Sequence, residues 1–141
     1  MRRNHRIEAV LFDMDGVHDC IGKCRKRGLK IAVASSADPV KVNINLEEIG
    51  LELDLFQAVV TGLDIEHKKP APDIFLKAAQ LVNADPGHCL VVEDAISGVA
   101  AGKAAGARVL ALTTSFSPGD LSGADWITET LATAGDEVLE W

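Results

Sequence analysis

Five short apolar runs, each stopped abruptly by polar residues, constrain this chain more than any other feature. They occupy 7–12, 29–34, 56–60, 89–92 and 107–112. The first stops at Asp13, the second at Ser35-Ser36, the third at Thr61-Gly62, the fourth at Glu93-Asp94 and the fifth at Thr113-Thr114. Runs of this length without polar alternation read as strands covered on both faces. Helical signals lie between them. Asp38-Pro39 opens a stretch over 40–49 that Gly50 closes, the Pro-start and Gly-stop asymmetry of a helix. Pro72-Asp73 opens 74–82, with Phe75, Ala78, Ala79 and Val82 on one face. A small-residue helix follows over 95–105, in which Gly98, Gly102 and Gly106 recur every four residues and let it lie close to a sheet. The tail offers a short strand at Trp126-Ile127 and a final helix over 131–139.

Strands alternating with helices imply parallel βαβ units, hence an α/β fold with a doubly wound parallel sheet in three αβα layers. At 141 residues, a single domain over 1–141 is the expectation. Hydrophobic residues at 48% and charged residues at 25% exclude a disordered or fibrous chain. A net charge of −7 argues against nucleic acid as a partner. Three cysteines, Cys20, Cys24 and Cys89, form no disulfide framework and fit a reducing compartment. No apolar run approaches the ~20 residues of a membrane span. The basic start at 1–6 is followed by too short an apolar stretch for a secretory signal. The expected location is cytoplasmic, away from membranes.

Ligands of doubly wound sheets sit beyond the carboxyl ends of the strands, so the residues that stop the runs carry the chemistry. Parallel neighbours would bring Asp13, Asp15, Glu93 and Asp94 to one small region. Like charges that close repel by several kcal/mol at an effective dielectric near ~20, so some stay protonated or a cation holds them together. Carboxylate oxygens without matching His or Cys favour Mg²⁺. Ser35 precedes a helix N-terminus, where unpaired N–H groups favour phosphate oxygens. Lys69 stands before Pro70, which biases it towards extended backbone. The set suits phosphoryl transfer: Asp13 attacks phosphorus, Asp15 protonates the leaving oxygen and then activates water, and a lysine with Mg²⁺ carries the oxygen charge.

Four ordered segments resemble the motifs of the haloacid dehalogenase superfamily, in particular its β-phosphoglucomutase-like phosphatase branch. Phe12-Asp13-Met14-Asp15-Gly16-Val17 resembles the first motif, and Val33-Ala34-Ser35-Ser36 the second, with Ser35 in the phosphate-binding place. Lys69-Pro70-Ala71-Pro72-Asp73-Ile74-Phe75 is similar to the third, and Val92-Glu93-Asp94-Ala95-Ile96-Ser97-Gly98 to the acidic fourth. The resemblance runs from residue 7 to about 115. It implies a Rossmann-like core, Mg²⁺ held by Asp13, Asp94, the Asp15 carbonyl and Glu93, and phosphate held by Ser35, Ser36 and Lys69. The activity implied is Mg²⁺-dependent hydrolysis of phosphomonoesters through an aspartyl phosphate.

The chain also departs from that pattern. The branch normally inserts a helical cap of several dozen residues after the first motif. Here the cap expected after about residue 17 is absent: His18 to Gly22 leads straight into Lys23-Cys24-Arg25-Lys26-Arg27-Gly28, a helix of about two turns. Caps exclude water and supply substrate contacts, so weak or unselective activity is expected. The substrate would be a small phosphorylated metabolite or a phosphorylated macromolecule. Two alternatives stand beside hydrolysis: a sugar-phosphate mutase of the β-phosphoglucomutase type, and a non-catalytic module binding phosphate, Mg²⁺ or a partner.

Other residues read more plainly. Cys24 is core, Cys89 a buried strand residue, His67 and His88 surface, and Lys68 a solvated charge. The cations from Lys23 to Lys30 form a solvated helix face. The glycine-rich stretch ending at Lys103 lacks P-loop spacing and sits inside a helix.

Overall fold

The computed structural model describes residues 7–13, 17–48, 56–130 and 132–141, with backbone alone for 17–20. Asp15, Ile49 and Gly50 therefore lie outside the described residues. The strands are β1 (Ala9–Phe12), β2 (Lys30–Ala34), β3 (Ala58–Val60), β4 (Cys89–Glu93), β5 (Arg108–Leu112) and β6 (Trp126–Thr128). The helices are α1 (Val17–Lys26), α2 (Pro39–Glu48), α3 (Asp73–Leu81) and α4 (Ile96–Ala104). One sheet holds all six strands in the order β3-β2-β1-β4-β5-β6. Every neighbouring pair is parallel. This is the doubly wound α/β sheet that the alternating runs imply.

Side chains alternate across each strand, so two cores form. One face presents Val10, Phe12, Ile31, Val33, Leu90, Val92, Leu110 and Leu112 to Cys24 of α1 and to Val42 and Leu46 of α2. The other presents Ala9, Leu11, Ala32, Ala34, Val91, Val109 and Ala111 to Phe75 and Ala78 of α3 and Ala101 of α4. Small residues dominate this second layer and permit a close helix. A Cβ at Gly102 would lie 2.8 Å from a Val109 methyl carbon. Gly106 plays a different part from its two spaced neighbours. With φ of +90° it ends α4, and Ala107 N–H closes back on the Gly102 carbonyl at 3.1 Å. Such left-handed stops favour glycine because it has no Cβ.

Two expectations need correction. The stretch 131–139 is not a helix. Among the described residues only a short 3₁₀ turn forms there, at Asp136–Leu139. The competing interaction is local: Thr133 N–H donates to the Thr130 hydroxyl at 3.2 Å, and the Thr133 hydroxyl donates to the Thr130 carbonyl at 2.9 Å. Threonine hydroxyls that satisfy nearby backbone groups take them away from a helix. The cations at the end of α1 and just after it are also not simply solvated. Arg27 reaches Asp136 at 3.7 Å and Glu140 at 3.2 Å, and Lys23 lies 3.9 Å from Asp136. These exposed pairs add little individually, but they orient the C-terminal turn beside α1, where Val138 and Leu139 enter the core. Helix α1 itself has ten residues, nearly three turns. Four residues, 13–16, separate it from β1, too few for an inserted domain at that point. No helix among the described residues is long and apolar enough to cross a membrane.

Candidate active site

The strand order reverses between β1 and β4, and there the polar strand ends converge. Phe12 pairs with Val92 in the parallel register, and Asp13 N–H extends the ladder to the Val92 carbonyl at 3.2 Å. Asp13 thus leaves β1 beside the Glu93-Asp94 end of β4. One carboxylate oxygen from each of Asp13, Glu93 and Asp94 lies within 4.8 Å of the others. Asp94 is half-buried and Glu93 is buried.

Lys69 enters from the β3–α3 connection, where the Lys69–Pro70 peptide bond is cis. Its ammonium donates to Asp13 Oδ1 at 2.7 Å, to Glu93 Oε2 at 2.5 Å and to the Ala34 carbonyl at 3.4 Å. The Phe75 ring centroid lies 5.0 Å from Nζ, close enough for a cation–π contribution. Ala34 is the last residue of β2, so one side chain ties the ends of β1, β2 and β4 together. The remaining Glu93 oxygen, Oε1, accepts from the backbone N–H of Asp94 at 3.2 Å and Ala95 at 3.4 Å. Glu93 is thereby committed on both oxygens.

Burial sets the electrostatics, and the charges modify it. Glu93 is pushed up to about 7 by burial and by the Asp13 charge, against the pull of Lys69. Burial also raises Asp13; Lys69 opposes this and Asp94 adds to it. Burial draws Lys69 down, but Glu93 and Asp13 outweigh it and the ammonium form is favoured beyond the ordinary range. Among the described residues, three carboxyl groups gather around one ammonium, an imbalance that an added cation would relieve. The donors are all carboxylate oxygens, which suits a hard divalent ion.

Ser35 follows β2 and is buried at 6% exposure. Its N–H donates to the Val60 carbonyl at 3.0 Å and its hydroxyl accepts from Ala37 N–H at 3.2 Å. Ser36 is exposed. Asp38 Oδ1 accepts from Lys41 N–H at 2.9 Å, the N-cap expected at the start of α2. The β3 end is organised by Thr61 and Asp64, which cap each other's backbone. Lys68 is exposed, His67 is exposed and pairs with Asp73 at 3.1 Å, and His88 is half-buried against Glu8 at 2.7 Å. Cys24 and Cys89 are buried, and burial pushes the Cys89 thiol up to about 12.

Sequence reading missed two elements of this site. Gly98 lies against Glu93: a Cβ there would overlap the Glu93 carboxyl. The hydroxyls of Thr114 and Ser115 donate to Asp94 Oδ2 at 3.2 and 2.9 Å. The polar stop after β5 marked Thr114, but nothing in its spacing pointed to Asp94.

Comparison with known proteins identifies the family of this fold. A haloacid dehalogenase-like hydrolase family profile matches residues 6–106. The chain is 45% identical over 109 residues to Protein SUPPRESSOR OF QUENCHING 1, chloroplastic, of Arabidopsis thaliana, covering 77% of this chain and 10% of that protein. It is 39% identical over 93 residues to the Bacillus subtilis putative phosphatase YhcW, covering 66% of this chain and 42% of that one. Among solved structures, a CbbY variant from Rhodobacter sphaeroides in complex with xylulose-1,5-bisphosphate superposes with a TM-score of 0.79 at 25% identity. That match covers 89% of this chain and 58% of the other. The chain thus spans well under two thirds of each relative. With the profile covering most of its length, the chain belongs to the haloacid dehalogenase-like hydrolase family.

Proposed function

We propose that this chain is the core of a phosphomonoester hydrolase that works through an aspartyl phosphate on Asp13. The observation that carries the reading is the Lys69 ammonium, held 2.7 Å from Asp13 and 2.5 Å from Glu93 at the point where the strand order reverses. Asp13 supplies a carboxylate oxygen to phosphorus, forming an acyl phosphate as the ester oxygen departs. Lys69 opposes the effect of burial, which favours the protonated form of that carboxylate. The long Lys69 contact to the Ala34 carbonyl, 3.4 Å, is the one that a phosphate oxygen would replace most readily. Ser35 and Ser36, at the turn into α2, are the proposed phosphate contacts. Asp15, outside the described residues, takes the role of the acid that protonates the leaving oxygen and then activates water.

Asp13 and Asp94 would hold Mg²⁺, with the Asp15 carbonyl. Glu93 is a lesser ligand because both its oxygens are already engaged. Bound there, Mg²⁺ would offset the phosphate charge and orient the phosphoryl group. With four residues between β1 and α1, no cap covers the site from that insertion point, so small phosphorylated metabolites and phosphorylated macromolecules are both proposed substrates. The named phosphatase among the relatives and the phosphorylated sugar in the CbbY complex support this class. A cytoplasmic setting is part of the same proposal and rests on reduced cysteines, although one relative is named chloroplastic.

The test is Mg²⁺-dependent phosphate release from an aryl phosphate by wild type and Asp13→Asn. Loss of at least a thousandfold in the variant is expected for removal of the nucleophile. Equal rates would dismiss the assignment. Tight binding of beryllofluoride with Mg²⁺ but no turnover would instead mark a non-catalytic module.

A further inference from the structure

Asp94 Oδ2 accepts two hydroxyl hydrogen bonds, from Ser115 at 2.9 Å and Thr114 at 3.2 Å. A carboxylate has about four lone-pair sites on its two oxygens, roughly two on each. Two donors therefore occupy Oδ2. The other oxygen, Oδ1, takes no hydrogen bond from the described residues. Asp94 also belongs to the trio whose ligand atoms gather within 4.8 Å.

Both donors stand just beyond β5, the strand beside β4, so their placement follows from the sheet. β4 delivers Asp94 at its carboxyl end, and β5 delivers two hydroxyls at the matching level next door. Neither hydroxyl has another hydrogen-bond partner among the described residues. Their geometry is spent on Asp94.

We infer that Ser115 and Thr114 are positioning residues that confine Asp94 to one-oxygen ligation of a divalent ion and so favour Mg²⁺ over Ca²⁺. This rests on the metal site of the proposed function. The physical reason is coordination number. Mg²⁺ demands near-ideal octahedral geometry and takes carboxylates one oxygen at a time, keeping several waters. Ca²⁺ accepts six to eight oxygens and readily takes both oxygens of a carboxylate. An Asp94 whose Oδ2 is filled by two hydroxyls can offer Oδ1 alone. Removing the hydroxyls frees Oδ2, loosens the orientation of Oδ1 and opens the two-oxygen mode. Hydroxyl groups that orient a metal ligand in this way typically change metal affinity by about 10- to 100-fold.

Calorimetric titration of Mg²⁺ and, separately, Ca²⁺ into the full chain tests this, because it reads the ion and not turnover. The proteins are wild type, Ser115→Thr, and the double variant Ser115→Ala with Thr114→Val. Both positions are exposed, so folding is retained, and circular dichroism checks it. Expected is a Mg²⁺ dissociation constant roughly tenfold higher in the double variant, a smaller change for Ca²⁺, and a near-normal ratio in Ser115→Thr. Unchanged Mg²⁺ binding in the double variant overturns the inference and leaves the metal site standing. So does an equal loss for both ions, since selectivity is then untouched. Failure of wild type to bind Mg²⁺ overturns the metal site itself, and the inference with it.

Discussion

The Glu93 carboxyl fills the space that a side-chain carbon on Gly98 would need. Glu93 is 1% exposed, and it can move only by giving up Lys69 and the two N–H groups at the start of α4. Alanine within a helix is normally favoured over glycine by about 0.5–1 kcal/mol. Forcing a methyl group into a filled site costs about 1–3 kcal/mol. The overlap should win. Gly98→Ala is expected to lower the unfolding temperature and to reduce phosphate release at least tenfold, while Ser97→Ala on the exposed side of the same turn changes neither. A Gly98→Ala protein more stable than wild type with full turnover would show that Glu93 has room elsewhere.

The metal-free chain should lose stability as pH rises from mildly acidic values to neutrality. Glu93 titrates near 7 in the folded chain against an ordinary 4.5, because burial and the Asp13 charge favour its protonated form. Asp13 is shifted in the same direction. A carboxyl whose folded value is raised contributes stability that is complete below its unfolded value and lost as pH climbs through the folded one. The window therefore runs from about 4.5 to about 7. Urea midpoints in chelator should fall across that window, and Glu93→Gln should flatten the slope. A midpoint that rises in wild type, or an equal slope in the variant, contradicts the assignment.

Lys69→Met removes the ammonium held between the buried Glu93 carboxyl and the half-buried Asp13 carboxyl. Its side chain is 8% exposed and that of Glu93 is 0%. Breaking a buried pair by deleting one partner typically costs about 3–5 kcal/mol when the other remains charged. Here the carboxyls can protonate instead. The loss is expected to be largest above the Glu93 value of about 7 and much smaller under mildly acidic conditions, where Glu93 takes up a proton. Paired urea titrations at the two pH values measure this directly. A pH-independent loss would mean that Lys69 acts through packing on Phe75 and not through charge.

The strand ends were legible because parallel strands buried on both faces leave largely apolar runs, each with at most one polar residue at its second position, and each run ended at polar residues. That rule alone located Asp13, Ser35, Glu93 and Asp94, and the topology brought their strands together. The contacts that hold the site were less visible. Gly98 read as part of a close-packing stripe, because spacing alone cannot say whether a missing Cβ makes way for a valine, as at Gly102, or for a carboxyl group. Ser115 and Thr114 reach Asp94 only through the neighbouring of β4 and β5, which spacing along the chain does not encode. The final segment misled for a local reason: its apolar positions suit a helix, but Thr130 and Thr133 bond to each other's backbone instead.

The turn after β2 depends on a second glycine. A Cβ on Gly62 would overlap the Ser36 carbonyl oxygen, a backbone atom that cannot swing aside as a side chain can. The two loops are also laced together, with Gly62 N–H on the Ala37 carbonyl at 3.0 Å and Ser35 N–H on the Val60 carbonyl at 3.0 Å. Gly62→Ala must therefore push the Ser35-Ser36 turn off the β3 loop, at a cost of about 1–3 kcal/mol. If that turn holds phosphate, the variant should show a several-fold higher KM for an aryl phosphate and weaker inhibition by inorganic phosphate, with kcat less affected because Asp13 follows β1, away from this turn. Product inhibition is the cleaner readout, since it reports the phosphate contacts without the chemical step. A folded Gly62→Ala protein with wild-type inhibition by phosphate would remove Ser35 and Ser36 from the binding site and leave phosphate recognition to Lys69 and the metal.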